Sequence, residues 1–347
     1  MTRYIRKNVQ SLAAYTPGEQ PKTRDVIKLN TNENAYPPSP RIAEVLQQSI
    51  ERLRLYPDPV CSELRQALAV YHGCSPSEIF VGNGSDEVLA LCIRAFVEQS
   101  GSVGYFEPSY SLYPVLADIH EIARKPVSLK QDFSWDMPKD YSASLFFLAN
   151  PNAPTSLQYP KDIVRDFCKA FPGVVLIDEA YVDFAGYDCV DLALSMDNVL
   201  VARTLSKSFS LAGLRVGYVI GRESLIGAFY KIKDSYNVDR LAQEIALAAV
   251  QDASHMRRNV ERIKDTRGRV AGELARRGFE VQPSATNFLW VKPPPKMKAR
   301  ELFDALRADK ILVRHFPGER TGDYLRITMA TDGEMMAFLS ALDRLMA

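Results

Sequence analysis

The chain has 347 residues, 46% of them hydrophobic and 24% charged, with a formal net charge of +1. That length exceeds the ordinary single-domain range and points to one large and one smaller domain around a sizeable core. The near-neutral charge leaves no footprint for nucleic acid or an acidic membrane, and no stretch approaches the ~20 apolar residues that span a bilayer.

Residues 1–35 are polar and lack a sustained period, with Pro17-Gly18 and Pro21 as breakers; they read as an arm that gains order on a partner subunit. From about residue 40 to 240, short aliphatic runs alternate with helical patterns. The runs are Ile79–Val81, Val103–Phe106, Leu145–Leu148, Val174–Ile177, Val199–Val201 and Gly217–Ile220. Such alternation predicts a mostly parallel sheet covered by helices on both faces. A long helical stretch near Leu241–Leu274 leads into a second unit. There Phe288–Val291, Ile311–Phe316 and Tyr324–Thr328 read as strands, and Ala299–Ala308 and Gly333–Met346 as amphipathic helices. The expected division is an arm over 1–35, a large domain over 36–242 and a small domain over 243–347. The N-terminal segment lacks the apolar core of a signal peptide. The five cysteines (61, 74, 92, 168, 189) show no paired spacing and are expected to be reduced core residues of a cytoplasmic protein. Four histidines without ligand spacing give no reason to expect a metal.

Four segments carry chemistry. Ile79-Phe-Val-Gly82-Asn-Gly84-Ser85-Asp86-Glu87, followed by an apolar-periodic stretch to Phe96, reads as strand, glycine turn and helix with Ser85 as N-cap. The free amides of such a helix start form an anion site, although Asp86 and Glu87 also suit the helix dipole with no ligand. Glu107-Pro-Ser-Tyr110 sets an aromatic ring after a strand, for stacking on a flat group or for plain packing. Val174-Val-Leu-Ile-Asp178-Glu-Ala-Tyr181 delivers a carboxylate to the carboxyl edge of a sheet, where it serves chemistry or caps the next helix. Most informative is Arg203-Thr204-Leu-Ser206-Lys207-Ser-Phe-Ser-Leu-Ala-Gly-Leu-Arg215 after the strand-like Val199–Val201. A lysine among small hydroxylic residues can form a Schiff base, and the hydroxyls and arginine suit a phosphate dianion. Aldehyde plus phosphate points to pyridoxal phosphate, whose pyridine nitrogen needs an acid such as Asp178. The same string also fits a solvated basic loop.

Read together, these segments resemble the fold-type I pyridoxal-phosphate aminotransferases (class I/II), and among them the histidinol-phosphate branch. The resemblance runs from Leu29-Asn-Thr-Asn-Glu-Asn34 and Leu55-Tyr-Pro-Asp58 to Tyr324-Leu-Arg326-Ile-Thr328, nearly the whole chain. It implies a large domain with a seven-stranded, mostly parallel sheet between helices, a smaller α/β C-terminal domain, and a homodimer. It also implies site roles. Lys207 would form the Schiff base, Asp178 would pair with the pyridine nitrogen, and Tyr181 would bind the phenolic oxygen. Tyr110 would stack on the ring. Gly84, Ser85, Asp86, Thr204, Ser206 and Arg215 would surround the phosphate, with Tyr56 reaching it from the other subunit. Arg326, Arg314, Tyr15 and Asn32 would hold the substrate. The implied reaction moves the amino group of L-histidinol phosphate to 2-oxoglutarate. Related alternatives are an aromatic amino acid aminotransferase and a threonine-phosphate decarboxylase. A regulator that has lost chemistry conflicts with the retention of Lys207, Asp178 and Arg326. A dinucleotide-binding dehydrogenase lacks the last glycine of its fingerprint after Gly82-Asn-Gly84.

The chain departs from the family pattern in two places. Where the family has Asn-Pro-Thr-Gly, this chain has Ala153-Pro154-Thr155-Ser156, and alanine cannot donate to the cofactor's phenolic oxygen. Either Asn152 reaches in from next door or Tyr181 makes the contact alone. Asp239 also stands where asparagine is expected.

Overall fold

A computed structural model describes residues 3–23 and 25–346; residues 1, 2 and 24 of the expected arm, and residue 347, lie outside the described residues. After a short first strand, β1 (Ile27–Lys28), seven strands build the main sheet: β2 (Ile79–Asn83), β3 (Ser102–Glu107), β4 (Ala123–Ser128), β5 (Leu145–Ala149), β6 (Val174–Asp178), β7 (Val199–Thr204) and β8 (Val216–Gly221). Their order is β2-β8-β7-β6-β5-β3-β4. Strand β8 runs antiparallel to both neighbours, and every other pairing is parallel. The expected mostly parallel seven-stranded sheet is what forms.

Side-chain alternation splits this sheet between two cores. Phe146, Leu148, Val175, Ile177, Val199 and Val201 face one, while Phe147, Leu145, Leu176, Leu200 and Ala202 face the other. Strands buried on both faces read as continuous apolar runs, which is why β5, β6 and β7 are legible in the sequence. Strand β4, which carries no apolar run, escapes that reading: it lies at the sheet edge, four of its first five residues are exposed, and it contains Pro126. Charge and proline are how edge strands avoid further pairing.

A second sheet has the order β12-β13-β10-β9, built from β9 (Glu280–Val281), β10 (Phe288–Lys292), β12 (Arg314–His315) and β13 (Leu325–Thr328). Strand β11 (Ile311–Leu312) instead pairs in parallel with β1. The expected single strand Ile311–Phe316 is therefore two short pieces that serve different sheets. The expected long helix near 241–274 is also two, Arg240–Gln251 and Ala253–Arg276, meeting at Asp252. Asp239 caps the first of these, its carboxylate accepting from the Ala242 N–H at 2.9 Å, so an acid serves well at that position. Among the described residues, no helix is long and apolar enough to cross a membrane.

The parallel strands β5, β6 and β7 end at Ala149, Asp178 and Thr204 on one edge of the sheet. Strand β2 ends there too, at the start of helix Gly84–Phe96, and antiparallel β8 begins there just after Arg215. The carboxyl edge of an open α/β sheet is where ligands bind in this architecture.

Candidate active site

Lys207 follows β7 in a loop held by short-range hydrogen bonds. The Ser206 N–H donates to Thr204 Oγ1 at 3.1 Å, and Asn34 Nδ2 donates to the carbonyls of Lys207 and Ser208 at 3.1 and 3.0 Å. The lysine Nζ, 5.8 Å from the Tyr181 ring centre, donates to the Thr31 carbonyl at 3.2 Å. Burial, and then the positive charge of Arg326, bring its pKa down to about 8. A cavity of about 430 Å³ opens from it, lined by residues of both sheets and by Tyr15, Pro17, Gly18 and Gln20 of the arm.

On the sheet side of the cavity, Asp178 is 6% exposed and its pKa is pushed up to about 6 by burial. Tyr113 Oη donates to its Oδ2 at 2.8 Å, and the Ala180 N–H to its Oδ1 at 3.1 Å. A buried carboxylate with only two donors is suited to a cationic partner. Tyr113 is a supporting residue absent from the sequence reading; it lies in the first turn of helix Leu112–Ile119, just after the Tyr110 loop.

The helix Gly84–Phe96 starts at the cavity wall. Asn83 holds the cap position without a side-chain hydrogen bond, so Ser85 lies in the first turn and is not the cap. Gly84 has φ +78°, and a Cβ there would fall 2.5 Å from the Arg215 guanidinium. Only glycine leaves this corner open. Arg215 pairs with Asp86 at 3.0 Å, and Tyr110 Oη donates to the same carboxylate at 3.2 Å. With Ser85, Thr204 and Ser206 on the same wall, the corner combines helix amides, hydroxyls and a guanidinium, a donor set for a phosphate.

At the far end lies Arg326, half-buried between Phe288 and Phe316 at 5.3 and 5.1 Å from their ring centres. One Nη donates to the Asn30 carbonyl at 2.9 Å, while its Nε is buried with no partner among the described residues. Arg314 stands directly across from it in the β12–β13 pairing, which puts both side chains on one face. Two cations so placed repel unless an anion comes between them. Arg314 also donates to the carbonyls of Thr16 and Pro17 at 2.9 and 3.1 Å. It thereby ties the arm over the cavity, where Tyr15 packs edge-on to Tyr110 at 6.0 Å. Within the chain, this half of the arm is held by these contacts.

Asn152 and Tyr56, both named from the sequence, lie outside the cavity lining. Asn152 is buried outside the cavity, its amide taken up by Ser109 Oγ (2.7 Å), the Pro108 carbonyl (3.1 Å) and Thr155 Oγ1 (2.9 Å). It has no reach toward a phenolic oxygen, and Ala153 lines the cavity in its stead. Ser156 adopts φ +66°, the conformation glycine takes freely, and its hydroxyl donates to the Pro283 carbonyl at 2.9 Å. Asn32 lines the cavity yet is 1% exposed, its amide nitrogen donating to Tyr181 and its amide oxygen accepting from Thr328. Tyr56 is 77% exposed and stacked on Tyr236 at 4.5 Å, away from this chain's own cavity.

The amine, the enclosed acid, Tyr181 and the anion corner fit the aldehyde, ring nitrogen, phenolic oxygen and phosphate of pyridoxal phosphate. Comparison with known proteins agrees with that fit. The family model "Aminotransferase class I and II" matches residues 24–342. The histidinol-phosphate aminotransferase of Microcystis aeruginosa is 42% identical over 97% of both chains. A second histidinol-phosphate aminotransferase, from Dechloromonas aromatica, is 43% identical over 99% of both. The solved structure of the Sinorhizobium meliloti histidinol-phosphate aminotransferase, in complex with pyridoxal-5'-phosphate, superposes with a TM-score of 0.90 at 28% identity, covering 100% of this chain and 98% of that one. With a site of this composition and a match of this extent, the chain belongs to the class I and II aminotransferases.

Proposed function

We propose that the protein uses pyridoxal phosphate to move the amino group of L-histidinol phosphate to 2-oxoglutarate, giving imidazole acetol phosphate and L-glutamate, as a step of histidine biosynthesis. The observation that carries this reading is one cavity with the Lys207 amine between an enclosed acid and an anion corner on one side and paired arginines on the other. The full-length relatives of the same named activity support the choice of donor.

When bound, pyridoxal phosphate supplies the carbonyl that accepts amino groups and a ring that stores the electron pair released at the donor's α-carbon. The protein does the rest. Ser85, Ser206 and Arg215 hold the phosphate; Asp86, already paired with Arg215, orients that guanidinium. Asp178 keeps the ring nitrogen protonated by holding a negative charge where water cannot screen it. Tyr110 would stack on the ring and Tyr181 would bind the phenolic oxygen, both lining the cavity. Lys207 would hold the cofactor through its Nζ, and the same amine, when free, is the group placed to take up and return the α-proton. Arg326, helped by Arg314 and Tyr15, grips the phosphate of one substrate and the carboxylate of the other, since a planar guanidinium serves both. The arm segment from Tyr15 to Gln20 covers this end and keeps water out.

We also read the active form as a homodimer in which Tyr56 completes the phosphate site of the neighbouring subunit. Leu46, Ile50, Leu53, Leu55 and Tyr56 form an exposed apolar run beside it, suited to burial against a second copy. The division into an arm (1–35), a large domain (36–242) and a small domain (243–347) accords with one sheet falling within residues 79–221 and the other within 280–328.

An amino-donor panel with 2-oxoglutarate as acceptor tests the reading. Histidinol phosphate is expected to give the highest kcat/KM; faster turnover of phenylalanine or tyrosine, or carbon dioxide release from threonine phosphate, would overturn it. Arg326→Lys keeps the charge but loses the fork, so single-turnover rates with histidinol phosphate and with glutamate should both fall while cofactor still binds. Unchanged rates in Arg326→Ala would remove Arg326 from the substrate site.

A further inference from the structure

With Ala153 in the cavity wall and Asn152 committed elsewhere, Tyr181 is left as the side chain that addresses the phenolic oxygen. A tyrosine hydroxyl can serve there only if its proton faces the cavity. We propose that Asn32 is a positioning residue that sets the direction of the Tyr181 proton, through a one-way chain of hydrogen bonds that begins at Thr328.

The polarity of the chain follows from donor and acceptor counts. The Asn32 backbone N–H donates to Thr328 Oγ1 at 3.0 Å. Thr328 Oγ1 must then spend its own proton elsewhere, and it donates to Asn32 Oδ1, also at 3.0 Å. In this arrangement the Thr328 proton has its acceptor in Oδ1, whereas a reversed amide would turn a donor toward Thr328 and leave that proton to find another acceptor. The Asn32 Nδ2 is therefore the atom that meets Tyr181 Oη, 2.8 Å away, and it can only donate. With its oxygen accepting from Asn32, Tyr181 is left with its own proton for the cavity. A hydrogen bond received at the oxygen also makes that O–H a stronger donor.

The backbone of Asn32 is built to hold this pose. Its φ of +56° is a left-handed conformation that asparagine tolerates better than most residues. Its carbonyl accepts from Asn287 Nδ2 at 3.0 Å, and the Thr328 N–H donates to the Leu29 carbonyl at 3.0 Å. The Tyr181 ring stands edge-on to Phe288, 5.2 Å away, which restricts its rotation. Thr328 lies on β13, two residues after Arg326 and on the same strand. One strand of the second sheet thus carries both the substrate arginine and the residue that orients the cofactor's hydrogen-bond donor.

The inference rests on Lys207 carrying pyridoxal phosphate, and it is read in a spectrum apart from turnover. The colour of the bound cofactor changes with protonation of the nitrogen linked to Lys207. A proton donated to the adjacent phenolic oxygen steadies negative charge there, most strongly when that nitrogen is bare, and so lowers the pH midpoint. The protein would be titrated with its cofactor bound and absorbance followed. Tyr181→Phe should raise the midpoint by about one to two pH units, the scale of a hydrogen bond to a charged group. Asn32→Gly, which keeps the left-handed backbone, should raise it by about half a unit. Thr328→Val should move it the same way by less. In a Tyr181→Phe background, Asn32→Gly should add nothing, because the group it acts through is gone. A midpoint unmoved by Asn32→Gly while Tyr181→Phe moves it, or an equal Asn32→Gly shift in both backgrounds, overturns the proposal. A purely structural Asn32 would lower the melting temperature and leave the midpoint in place. Wild-type protein that takes up no cofactor colour would overturn the pyridoxal-phosphate reading itself, and this inference with it.

Discussion

An amine attacks a carbonyl only in its neutral form, and burial with the nearby Arg326 charge brings the Lys207 pKa down to about 8. Cofactor uptake by the cofactor-free protein should therefore speed up roughly tenfold per pH unit below about pH 8 and level off above it. Stopped-flow absorbance checks this; a rate still climbing steeply beyond pH 9 would mean an ordinary lysine. Asp178 shows the opposite shift for the same reason. Its folded pKa of about 6 lies above the ordinary 3.8, so between those values the folded state binds a proton that the unfolded chain has released. Stability of the cofactor-free protein should decline as pH rises from about 4 to about 6 and then level off, by about 2–3 kcal/mol in all. Asp178→Asn removes that burden: the cofactor-free variant should melt higher at pH 7, while turnover drops by about 10²-fold or more. Scanning calorimetry and steady-state kinetics read the two effects, and near-normal turnover would rule out the role of Asp178 at the ring nitrogen.

The anion corner depends on how closely helix Gly84–Phe96 can approach β8. A Cβ on Gly217 would lie 2.3 Å from the Ser85 backbone nitrogen and 2.6 Å from the Gly84 carbonyl carbon. Backbone atoms cannot give way as a side chain can, so Gly217→Ala should push the helix start off the strand. We expect weaker binding of pyridoxal phosphate by calorimetry and a loss of about 1–3 kcal/mol in denaturant unfolding. Gly227→Ala, with nothing within 4 Å of its added carbon, is the control and should change neither reading adversely. Wild-type affinity in Gly217→Ala would show that the corner does not need this approach. The same element explains a local misreading. Ser85 is a favoured cap type, yet the cap is Asn83, two residues earlier, and the helix starts at Gly84, whose positive φ only glycine holds at no cost.

For the whole molecule, the exposed run from Leu46 to Tyr56 and the outward-stacked Tyr56–Tyr236 pair predict a second copy. Light scattering at assay concentration should give twice the chain mass of 38.9 kDa, or about 78 kDa. Tyr56→Phe should leave that mass unchanged and weaken cofactor binding, if its hydroxyl is the group proposed to reach the neighbouring subunit's phosphate. A fully active monomer would contradict the composite site.

The buried strands and the lysine segment were legible in the sequence because they obey local rules. Strands β5 to β7 are apolar on both faces, and Lys207 sits among small hydroxylic residues whatever the rest of the chain does. The edge strand β4 and the split of Ile311–Phe316 were not legible, since both depend on which neighbour is at hand. The same distinction runs through the site. Residue type and spacing pointed to Lys207, Asp178 and Arg215, while the role of Arg326 came from the family resemblance. Whether Asn152 or Tyr181 could meet a phenolic oxygen turned on a hydrogen-bond contest that Ser109, Pro108 and Thr155 decide across the fold. Likewise Asn32, expected at the substrate, has its amide oxygen bonded to Thr328, 296 residues away in sequence. Local sequence determines which groups are available to the chemistry. Only tertiary contact decides where each donor and acceptor is spent, because a buried polar group must take whichever partner packing brings within reach.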